Sequence, residues 1–468
     1  MRKTWTAVIA VVLALCLFGC GPVIKQEDDN AGVSGGKTTI EFFGWGDTEE
    51  LNNYQTLVNK FMDENPDIIV SYTGESAQTY MTTLKQRAMS LPDMFLMPDY
   101  DFLEWVKNGK LKDITNYVSQ EELSKLWPQA VDEYYFNRSN KTLGKTDGAK
   151  LYGLPKDLGP FTLVYNKTLL DQIINEKGLN QSEIYALLSP EEPMTWQQFK
   201  TLLKKIDTNP NDDLYGISHY ELEAAVYSNN ADFFDEGAKN QTITSDRFTE
   251  AVQFIADLNL VDHVMPSAAN QISTNGYQRF KSQGCVFSFM GPWDCADFWK
   301  TANFEYDILP VPYNGENPEA QSTAWVGSMA YCIKDNCGKA KTEACMKLMN
   351  YLCYNESAQR EFYKLGQQVP NIKEMANNEY LNDTQGILAN KNPKSRSVWL
   401  ETISGTNDKI HGKVRTRYYT LKSDWYTLLS EHFTTEKMWE GKVTAKAACA
   451  SFAPTFQTAL NEMAAELG

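Results

Sequence analysis

The 468-residue sequence is poor in the residues that mark metal sites and common catalytic centres. It has four histidines and nine cysteines, and no two cysteines have the Cys-x-x-Cys spacing of a zinc site. His-Glu-x-x-His and Gly-x-x-x-x-Gly-Lys are absent, so we expect no metal, no cofactor and no catalytic residues. A carboxylate pair for glycoside hydrolysis stays open, because its separation of about 5–10 Å is a spatial property.

Basic residues are also scarce relative to acidic ones, at 44 against 60, which gives a formal net charge of −16. A surface this acidic repels nucleic acid, so we exclude nucleic acid as a partner. Seven cysteines follow residue 20, and an odd number does not suit a complete disulfide framework. Most lie in apolar runs and are predicted to be small core residues, although one disulfide stays possible.

The first residues have the pattern of a secretory signal. Arg2 and Lys3 precede an apolar run over 7–18, and the run is too short for a transmembrane helix of about 20 residues. We expect residues 1–19 to be removed. Leu-Phe-Gly-Cys at 17–20 resembles the bacterial lipobox, which predicts lipidation of Cys20; an ordinary signal that happens to contain this cysteine is the alternative. Residues 20–37 then form a lipidated cysteine and flexible tether.

The remaining chain is too long for one hydrophobic core, so two domains or lobes are expected. Apolar runs at 39–43, 68–72 and 94–97 predict strands, and the spacing over Thr48–Glu64 and 80–88 predicts helices between them. This βαβαβ order indicates an α/β fold with a parallel sheet. Further strands are predicted at 161–165, 214–218, 286–290 and 308–311, and helices from 195, over 340–352 and over Ala445–Leu467.

Ligands of such sheets bind beyond the carboxyl ends of the strands. The loops at these ends carry Trp45, Asp47, Glu75, Asp99 and Asp101. Sugars bind flat aromatic rings through their C–H face and carboxylates or amides through their hydroxyls, so these are candidate sugar ligands. Trp45 could instead be a core aromatic at a strand end. The three aspartates could cap helices, and Asp47 lies three residues before a glutamate, as in a capping box.

Five further residues are candidate sugar contacts. Trp293 follows a predicted strand and a Gly-Pro turn, which projects it beyond the strand end. Trp325 lies in a loop after a polar stretch, and Asp157 lies next to a probable crossing between the lobes. Asn230 and Phe234 belong to a polar and aromatic cluster between weak helices, where asparagine could simply satisfy a turn.

Seven stretches together resemble the extracellular solute-binding proteins of ABC sugar importers, the group that includes maltose-binding protein. They are FMDENPDI at 61–68, LKDIT at 111–115, LYGLPKD at 151–157, LVYNK at 163–167, TWQQF at 195–199, FMGPW at 289–293 and GQQVPN at 366–371. The resemblance implies two lobes, each a mainly parallel sheet flanked by helices, around a hinged cleft. Residues 38–155 and 310–352 would form lobe 1, and 160–305 and 356–468 lobe 2.

By the same resemblance, the cleft tryptophan falls on Trp293, the cleft acid on Asp99 or Asp101, and the opposite aromatic on Trp325. Maltose-binding protein has a cleft glutamate shortly after the first crossing, whereas this chain has Gly159 there and Asp157 nearby. The implied protein is a monomeric lipoprotein outside the cell membrane, which delivers a carbohydrate to the importer's permease subunits. The alternatives are a secreted glycoside hydrolase and a binding protein of this fold for a non-sugar solute.

Overall fold

The computed structural model describes residues 33–34, 36–206, 214–327, 329–383, 385–414 and 424–467. The predicted signal segment and Cys20 lie outside these ranges. Within them, no helix combines the length and apolar character needed to cross a membrane. All seven cysteines that the structure describes are buried free thiols, as expected of core residues.

The first sheet contains the predicted βαβαβ unit. Lys37–Trp45 pairs in parallel with Ile68–Glu75 and with Met94–Pro98, and the helices Thr48–Glu64 and Tyr80–Gln86 connect these strands. Met329–Ile333 pairs antiparallel with Met94–Pro98 on one side and with Leu154–Pro155 on the other. Val33–Ser34 pairs antiparallel with the start of Lys37–Trp45. The parallel part of the sheet is therefore the part that the sequence predicted.

The second sheet has four strands in the order Tyr215–Ile217, Cys285–Met290, Thr162–Asn166 and Tyr306–Leu309. Only the first two pair in parallel, since the third strand runs antiparallel to both of its neighbours. All four predicted strands of this region are present. The expectation of a mainly parallel sheet is therefore wrong for this lobe, in which one of the three strand pairings is parallel.

A small three-stranded sheet lies where the chain passes between the two larger ones. Gly159–Pro160 pairs antiparallel with Ser322–Gly327, which pairs in parallel with Ile410–Val414. Two connections between the larger sheets, 155–162 and 309–329, thus run through it. The predicted lobe boundaries fall near these connections. Helix Glu356–Lys364 is assigned by resemblance to lobe 2. It contacts helix Thr48–Glu64 beside the first sheet through the rings of Phe362 and Tyr54, whose centroids are 5.3 Å apart.

The other elements surround these sheets, and their apolar faces complete the cores. A third sheet consists of Tyr135–Asn137, Thr142–Leu143 and Lys150–Leu151. The remaining helices are Asp99–Lys107, Gln120–Ser124, Pro128–Asp132, Lys167–Lys177, Gln181–Leu187, Trp196–Ile206, Leu222–Tyr227, Asp246–Leu260, Ala268–Ser273, Gly276–Lys281, Cys295–Thr301, Lys339–Tyr354, Lys373–Met375, Ser397–Ser404, Asp424–Thr435 and Ala445–Leu467. Single 3₁₀ or π-helical turns occur at Thr115–Tyr117, Pro292–Asp294, Ala376–Tyr380, Ile387–Asn390 and Met438–Glu440.

Candidate functional site

A cavity of about 540 Å³ lies between the first and second sheets, at the carboxyl ends of the first-sheet strands. Parallel strands gather the loops that follow them at one edge, so residues far apart in sequence meet there. The lining combines three tryptophans, two tyrosines and five carboxylates with one lysine. The lining residues are Trp45, Gly46, Asp47, Glu50, Ser76, Ala77, Gln78, Pro98, Asp99, Tyr100, Lys156, Asp157, Asn275, Tyr277, Gln278, Trp293, Asp294, Trp325, Gly327 and Met329.

Asp47 holds the start of helix Thr48–Glu64 at the cavity wall. Its Oδ1 accepts hydrogen bonds from the backbone N–H groups of Glu49 (2.8 Å) and Glu50 (2.9 Å). The Glu50 carboxylate accepts in return from the Asp47 N–H at 3.2 Å, which completes a capping box. Asp47 thus both caps this helix and lines the cavity.

One side of the cavity is an aromatic wall of Trp293 and Trp325, and Phe161, which is not itself a lining residue, packs against both of them as the third ring of the wall. The rings of Phe161 and Trp293 are nearly parallel, 3° apart, with centroids 5.9 Å from each other. Trp325 lies 5.3 Å from Phe161 and 6.2 Å from Trp293. Gly159 makes this wall possible, because a Cβ at that position would overlap the Trp293 ring. Such a wall presents flat apolar surface to a ligand.

A buried charge cluster forms the floor. The Lys156 ammonium lies 2.8 Å from Asp157 and 3.8 Å from Glu50, and its side chain is 4 % exposed. Burial lowers the pKa of Lys156, but the two neighbouring carboxylates outweigh burial and raise it. Burial raises the pKa of Glu50, and Lys156 opposes that rise. The lysine therefore serves to neutralise these carboxylates.

Amide side chains of the segment 366–371 tie this floor to the first lobe. Gln367 donates to Glu50 at 2.7 Å and accepts from Asn53 at 3.1 Å, all three being buried. Asn371 Nδ2 donates to the Lys156 carbonyl at 2.7 Å, and Gln368 donates to the same carbonyl at 3.1 Å. Buried polar groups that are paired in this way hold their neighbours in one arrangement.

Asp294 faces the floor from the second lobe. It accepts a hydrogen bond from the Gly291 N–H at 2.8 Å. Burial, together with the negative charges of Glu50 and Asp47 across the cavity, raises the pKa of Asp294 to about 8. The two lobes also meet through an ion pair between Glu49 and Lys300. Carboxylates of both lobes are thus close enough to influence one another.

A family model described as bacterial extracellular solute-binding protein matches residues 56–389. The chain belongs to this family. The galactooligosaccharide-binding protein of Bacillus subtilis is 22% identical over 401 residues, which cover 83% of this chain and 85% of that protein.

Solved structures share the two-lobed fold. An ABC substrate-binding protein from Listeria monocytogenes in complex with cycloalternan aligns with a TM-score of 0.72 at 20% identity, over 92% of this chain and 99% of that one. UgpB from Mycobacterium tuberculosis, in complex with glycerophosphocholine, aligns with a TM-score of 0.69 at 14% identity, over 92% and 98%. The fold predicted for this solute-binding protein is therefore confirmed.

The structure brings six of the ten candidate residues together around the cavity: Trp45, Asp47, Asp99, Asp157, Trp293 and Trp325. The fold explains this grouping, since the first three lie at or just after the carboxyl ends of first-sheet strands and the others lie on or beside the connections between sheets. Glu75 stays outside the lining. Its carboxylate accepts from the Thr79 hydroxyl at 2.9 Å, and the next three residues, 76–78, line the cavity instead.

Asp101 is corrected, because it is 4 % exposed and its carboxylate lies 3.1 Å from the Lys85 ammonium, outside the cavity lining. It lies in helix Asp99–Lys107, two positions after Asp99. Residues two apart do not share a helix face, so the two aspartates cannot both line the cavity. Both aspartates were candidates from the sequence, and of the two only Asp99 lines the cavity in the structure.

Asn230 and Phe234 are also corrected, because both lie within the second lobe away from the cavity. Phe234 is 2 % exposed and packs its ring against those of Trp425 and Phe456. Asn230 donates to Glu319 at 3.1 Å. Its backbone has φ +51°, a conformation that asparagine tolerates in turns, so the turn interpretation accounts for it.

Several lining residues were missed by sequence reasoning. Glu50 carried a signal, because a capping box directs its side chain back toward Asp47. Tyr277 and its two polar neighbours, Asn275 and Gln278, start a short second-lobe helix. Nothing local marks that helix as part of the site, since only the packing of the two lobes brings it to the cavity.

A larger groove of about 830 Å³ lies on the second lobe, bordered by helices Trp196–Ile206 and Asp246–Leu260. Its aromatic residues do not form a platform, because Trp196 is 7 % exposed and stacks on Phe254 at 4.2 Å. Its cations are paired, Lys200 with Asp262 and Arg247 with Glu319. The groove therefore offers little for ligand recognition despite its size.

Ser218, His219 and Glu221 form a hydrogen-bonded line like that of a hydrolase. Ser218 Oγ lies 2.8 Å from His219 Nδ1, and His219 Nε2 lies 2.7 Å from Glu221. A nucleophile must reach its substrate, whereas Ser218 is 1 % exposed and its hydroxyl also bonds Ser288. This line connects the second sheet to the following helix and does not form an active site.

Proposed function

We propose that this solute-binding protein captures an extracellular sugar or oligosaccharide in the cavity between its lobes and delivers it to the permease of an ABC importer. The aromatic wall of Trp293 and Trp325, set beside carboxylates from both lobes, carries the proposal. The indoles suit the apolar C–H face of a sugar, and the carboxylates suit its hydroxyls. A site of this composition needs no cofactor to bind a sugar.

The relatives support a saccharide over other solutes. The curated relative from Bacillus subtilis is named for galactooligosaccharides, and the Listeria monocytogenes structure holds cycloalternan. Glycerophosphocholine in the Mycobacterium tuberculosis structure favours a second candidate, a small non-sugar solute. The non-sugar candidate must still account for the three tryptophans in the lining.

Capture would work by closure of the two lobes. Residues of both lobes line the cavity, so a bound sugar contacts both and favours the closed arrangement. A ligand shifts such an equilibrium only through its different affinities for the open and closed forms. The permease would then recognise the closed pair of lobes.

The protein would act as a monomeric lipoprotein at the outer face of the cell membrane, held by lipid on Cys20. Two or more acyl chains anchor a protein stably. Cys20→Ser should abolish incorporation of labelled palmitate and release the protein from the membrane fraction. Unchanged labelling in this variant would overturn the anchor at Cys20 while leaving the sugar site untouched.

A thermal-shift screen of the purified protein tests the substrate. Mono- and oligosaccharides are compared with amino acids and peptides. A ligand at 100 times its Kd stabilises the folded protein by about 2.7 kcal/mol, which raises Tm by about 3 °C for a chain of this size. A shift with one glycan class supports the proposal. A shift with a peptide alone would overturn the sugar, and products released from an oligosaccharide would support a hydrolase.

A further inference from the structure

A short second-lobe helix, Gly276–Lys281, carries Tyr277 at the edge of the cavity between the lobes. The start of this helix is fixed, because Asn275 Oδ1 accepts a hydrogen bond from the Gln278 N–H at 2.9 Å. Tyr277 is half-buried, so part of its side chain packs inside the lobe while the rest lines the cavity. The backbone therefore holds this tyrosine in one place.

The hydroxyl of Tyr277 is held by a cluster that lies outside the cavity lining. It donates a hydrogen bond to Asp297 Oδ2, which also lies 2.6 Å from the Lys281 ammonium. Asp297 Oδ1 accepts from the Thr301 hydroxyl at 3.3 Å, and the residue is 9 % exposed. Burial raises the pKa of Asp297, but the bonds from Lys281 and Tyr277 outweigh burial and lower it. An ionised carboxylate thus holds the hydroxyl at neutral pH.

The other contacts of the Tyr277 ring fix its plane. The ring lies nearly perpendicular to that of Phe298, at 88°, with centroids 5.3 Å apart. The Lys281 ammonium lies 5.9 Å from the ring centroid. Only two torsions orient a tyrosine ring, so a bond at its hydroxyl and packing along its side leave it little freedom. The ring is therefore preformed beside the cavity.

The support of this ring extends to the first lobe. Asp297 and Lys300 lie on the same helix, Cys295–Thr301, and Lys300 forms an ion pair with Glu49. Glu49 belongs to the first turn of the first-lobe helix, and its N–H donates to the cavity residue Asp47 at 2.8 Å. The tyrosine is thus supported where the two lobes meet, and a ligand that contacts it lies within reach of both.

We infer that the ring of Tyr277 binds the saccharide and that Asp297 is the positioning residue that orients this ring. The inference rests on the proposed function and adds a second-lobe contact to the aromatic wall of Trp293 and Trp325. The ring binds the C–H face of a sugar, as the indoles do, while Asp297 acts only through the tyrosine hydroxyl. A ring that is already oriented loses little freedom on binding, so the orientation contributes to affinity.

Calorimetric titration with the best saccharide from the screen tests both roles. Tyr277→Ala should raise Kd about tenfold or more, because stacking is lost. Tyr277→Phe removes the donor and Asp297→Ala the acceptor of one hydrogen bond, so each should raise Kd about two- to fivefold. Asp297→Asn, which keeps an acceptor, should lie between Asp297→Ala and the wild type. The double variant Tyr277→Phe/Asp297→Ala should bind like either single variant, since both changes break the same bond.

Two outcomes of this titration overturn the inference. Wild-type affinity in Tyr277→Ala excludes the ring as a ligand contact. An undiminished further loss from Asp297→Ala in the Tyr277→Phe background shows that the aspartate does not act through the hydroxyl. Both results leave the sugar function standing. If the wild-type protein binds no saccharide at all, the proposed function fails and the inference fails with it.

The second lobe contains a matched control. Tyr185 donates to Asp171 at 2.7 Å, and Asp171 lies 3.1 Å from the Lys167 ammonium, so the chemistry is the same, but all three residues lie outside the cavity lining. Tyr185→Phe and Asp171→Ala should lower Tm and leave Kd unchanged. A loss of affinity equal to that of Tyr277→Phe and Asp297→Ala would show a general effect on the lobe and overturn the inference.

Fluorine NMR detects the contact independently of affinity. 3-Fluorotyrosine is placed at position 277 in one sample and at position 185 in another. Saturating saccharide should shift the signal from position 277 and leave the signal from position 185 in place. An unchanged signal at position 277, or equal shifts at the two positions, would overturn the contact while the bound saccharide still supports the proposed function.

Discussion

Replacing Trp293 by alanine should weaken sugar binding without removing it. The Trp293 ring lies 5.9 Å from Phe161 and 6.2 Å from Trp325, so its loss takes away one ring of the aromatic wall and leaves the other two, whose centroids are 5.3 Å apart. Stacking of a ligand ring on an aromatic side chain contributes about 1–3 kcal/mol, by analogy with nucleic-acid bases. That loss corresponds to a roughly 5- to 150-fold rise in Kd. Trp293→Phe, which keeps a smaller ring, should lie between alanine and the wild type.

Calorimetric titration with the best sugar from the screen measures this loss, and Tm is recorded on the same samples. Trp439→Ala is the matched control. Trp439 contacts Phe433 with ring centroids 5.8 Å apart and lies outside the cavity lining, so its loss should lower Tm while Kd changes less than twofold. The reasoning is refuted if Trp293→Ala binds as tightly as the wild type, or if both variants lose affinity equally.

Three other perturbations follow from the same contacts. Gly159→Val should weaken binding about as much as Trp293→Ala, because its Cβ displaces the indole; crystallography of the variant would show whether the ring moves. Lys156→Met should destabilise the fold by about 3–5 kcal/mol at pH 7, since two buried carboxylates lose their cation. Because burial raises the pKa of Glu50, its protonation at lower pH relieves part of this loss, so urea unfolding should show a smaller loss at pH 5, and an equal loss would contradict the pairing. The pKa of Asp294 is raised to about 8 from an ordinary value of 3.8, so between these values protonation favours the arrangement of the two lobes in this structure, which we propose a bound sugar to stabilise. Affinity for a neutral sugar should therefore rise as pH falls from 9 to 6, by at most tenfold per unit, and Asp294→Asn should bind independently of pH.

The first lobe was predictable because its signals are local. Helix Thr48–Glu64 has the predicted bounds, since a capping box starts it and Asn65-Pro66 ends it. The predicted strands over 39–43, 68–72 and 94–97 lie within the observed ones, and Met94–Pro98 is buried along its whole length, as expected of a continuous apolar run. Their carboxyl ends then locate Trp45, Asp47 and Asp99 with no further information.

The rest of the site depends on contacts between distant segments. Gln367 is 314 residues from Asn53, which donates to its side chain, and nothing in either neighbourhood predicts that bond. The short second-lobe helix that Asn275 starts reaches the cavity only through the packing of the lobes. Phe234 was predicted as a ligand contact but does not reach the cavity. An aromatic residue beside polar residues looks like a ligand contact in the sequence, although the Phe234 ring is buried in the core.

The charge of the cavity is a second property that the sequence conceals. The five carboxylates and one lysine of the lining come from distant segments, since Asp47 and Asp294, for example, are 247 positions apart in number. Charge that is assembled from two lobes can be recognised only from the folded arrangement.

A crystal structure of the protein with the tightest-binding saccharide tests the central claim most directly. The account predicts a sugar ring stacked on the wall of Trp293 and Trp325, with its polar groups hydrogen-bonded to carboxylates of both lobes. A ligand seated instead in the groove beside Thr195 and Asn317, with the cavity between the lobes empty of it, would contradict the assignment of the site.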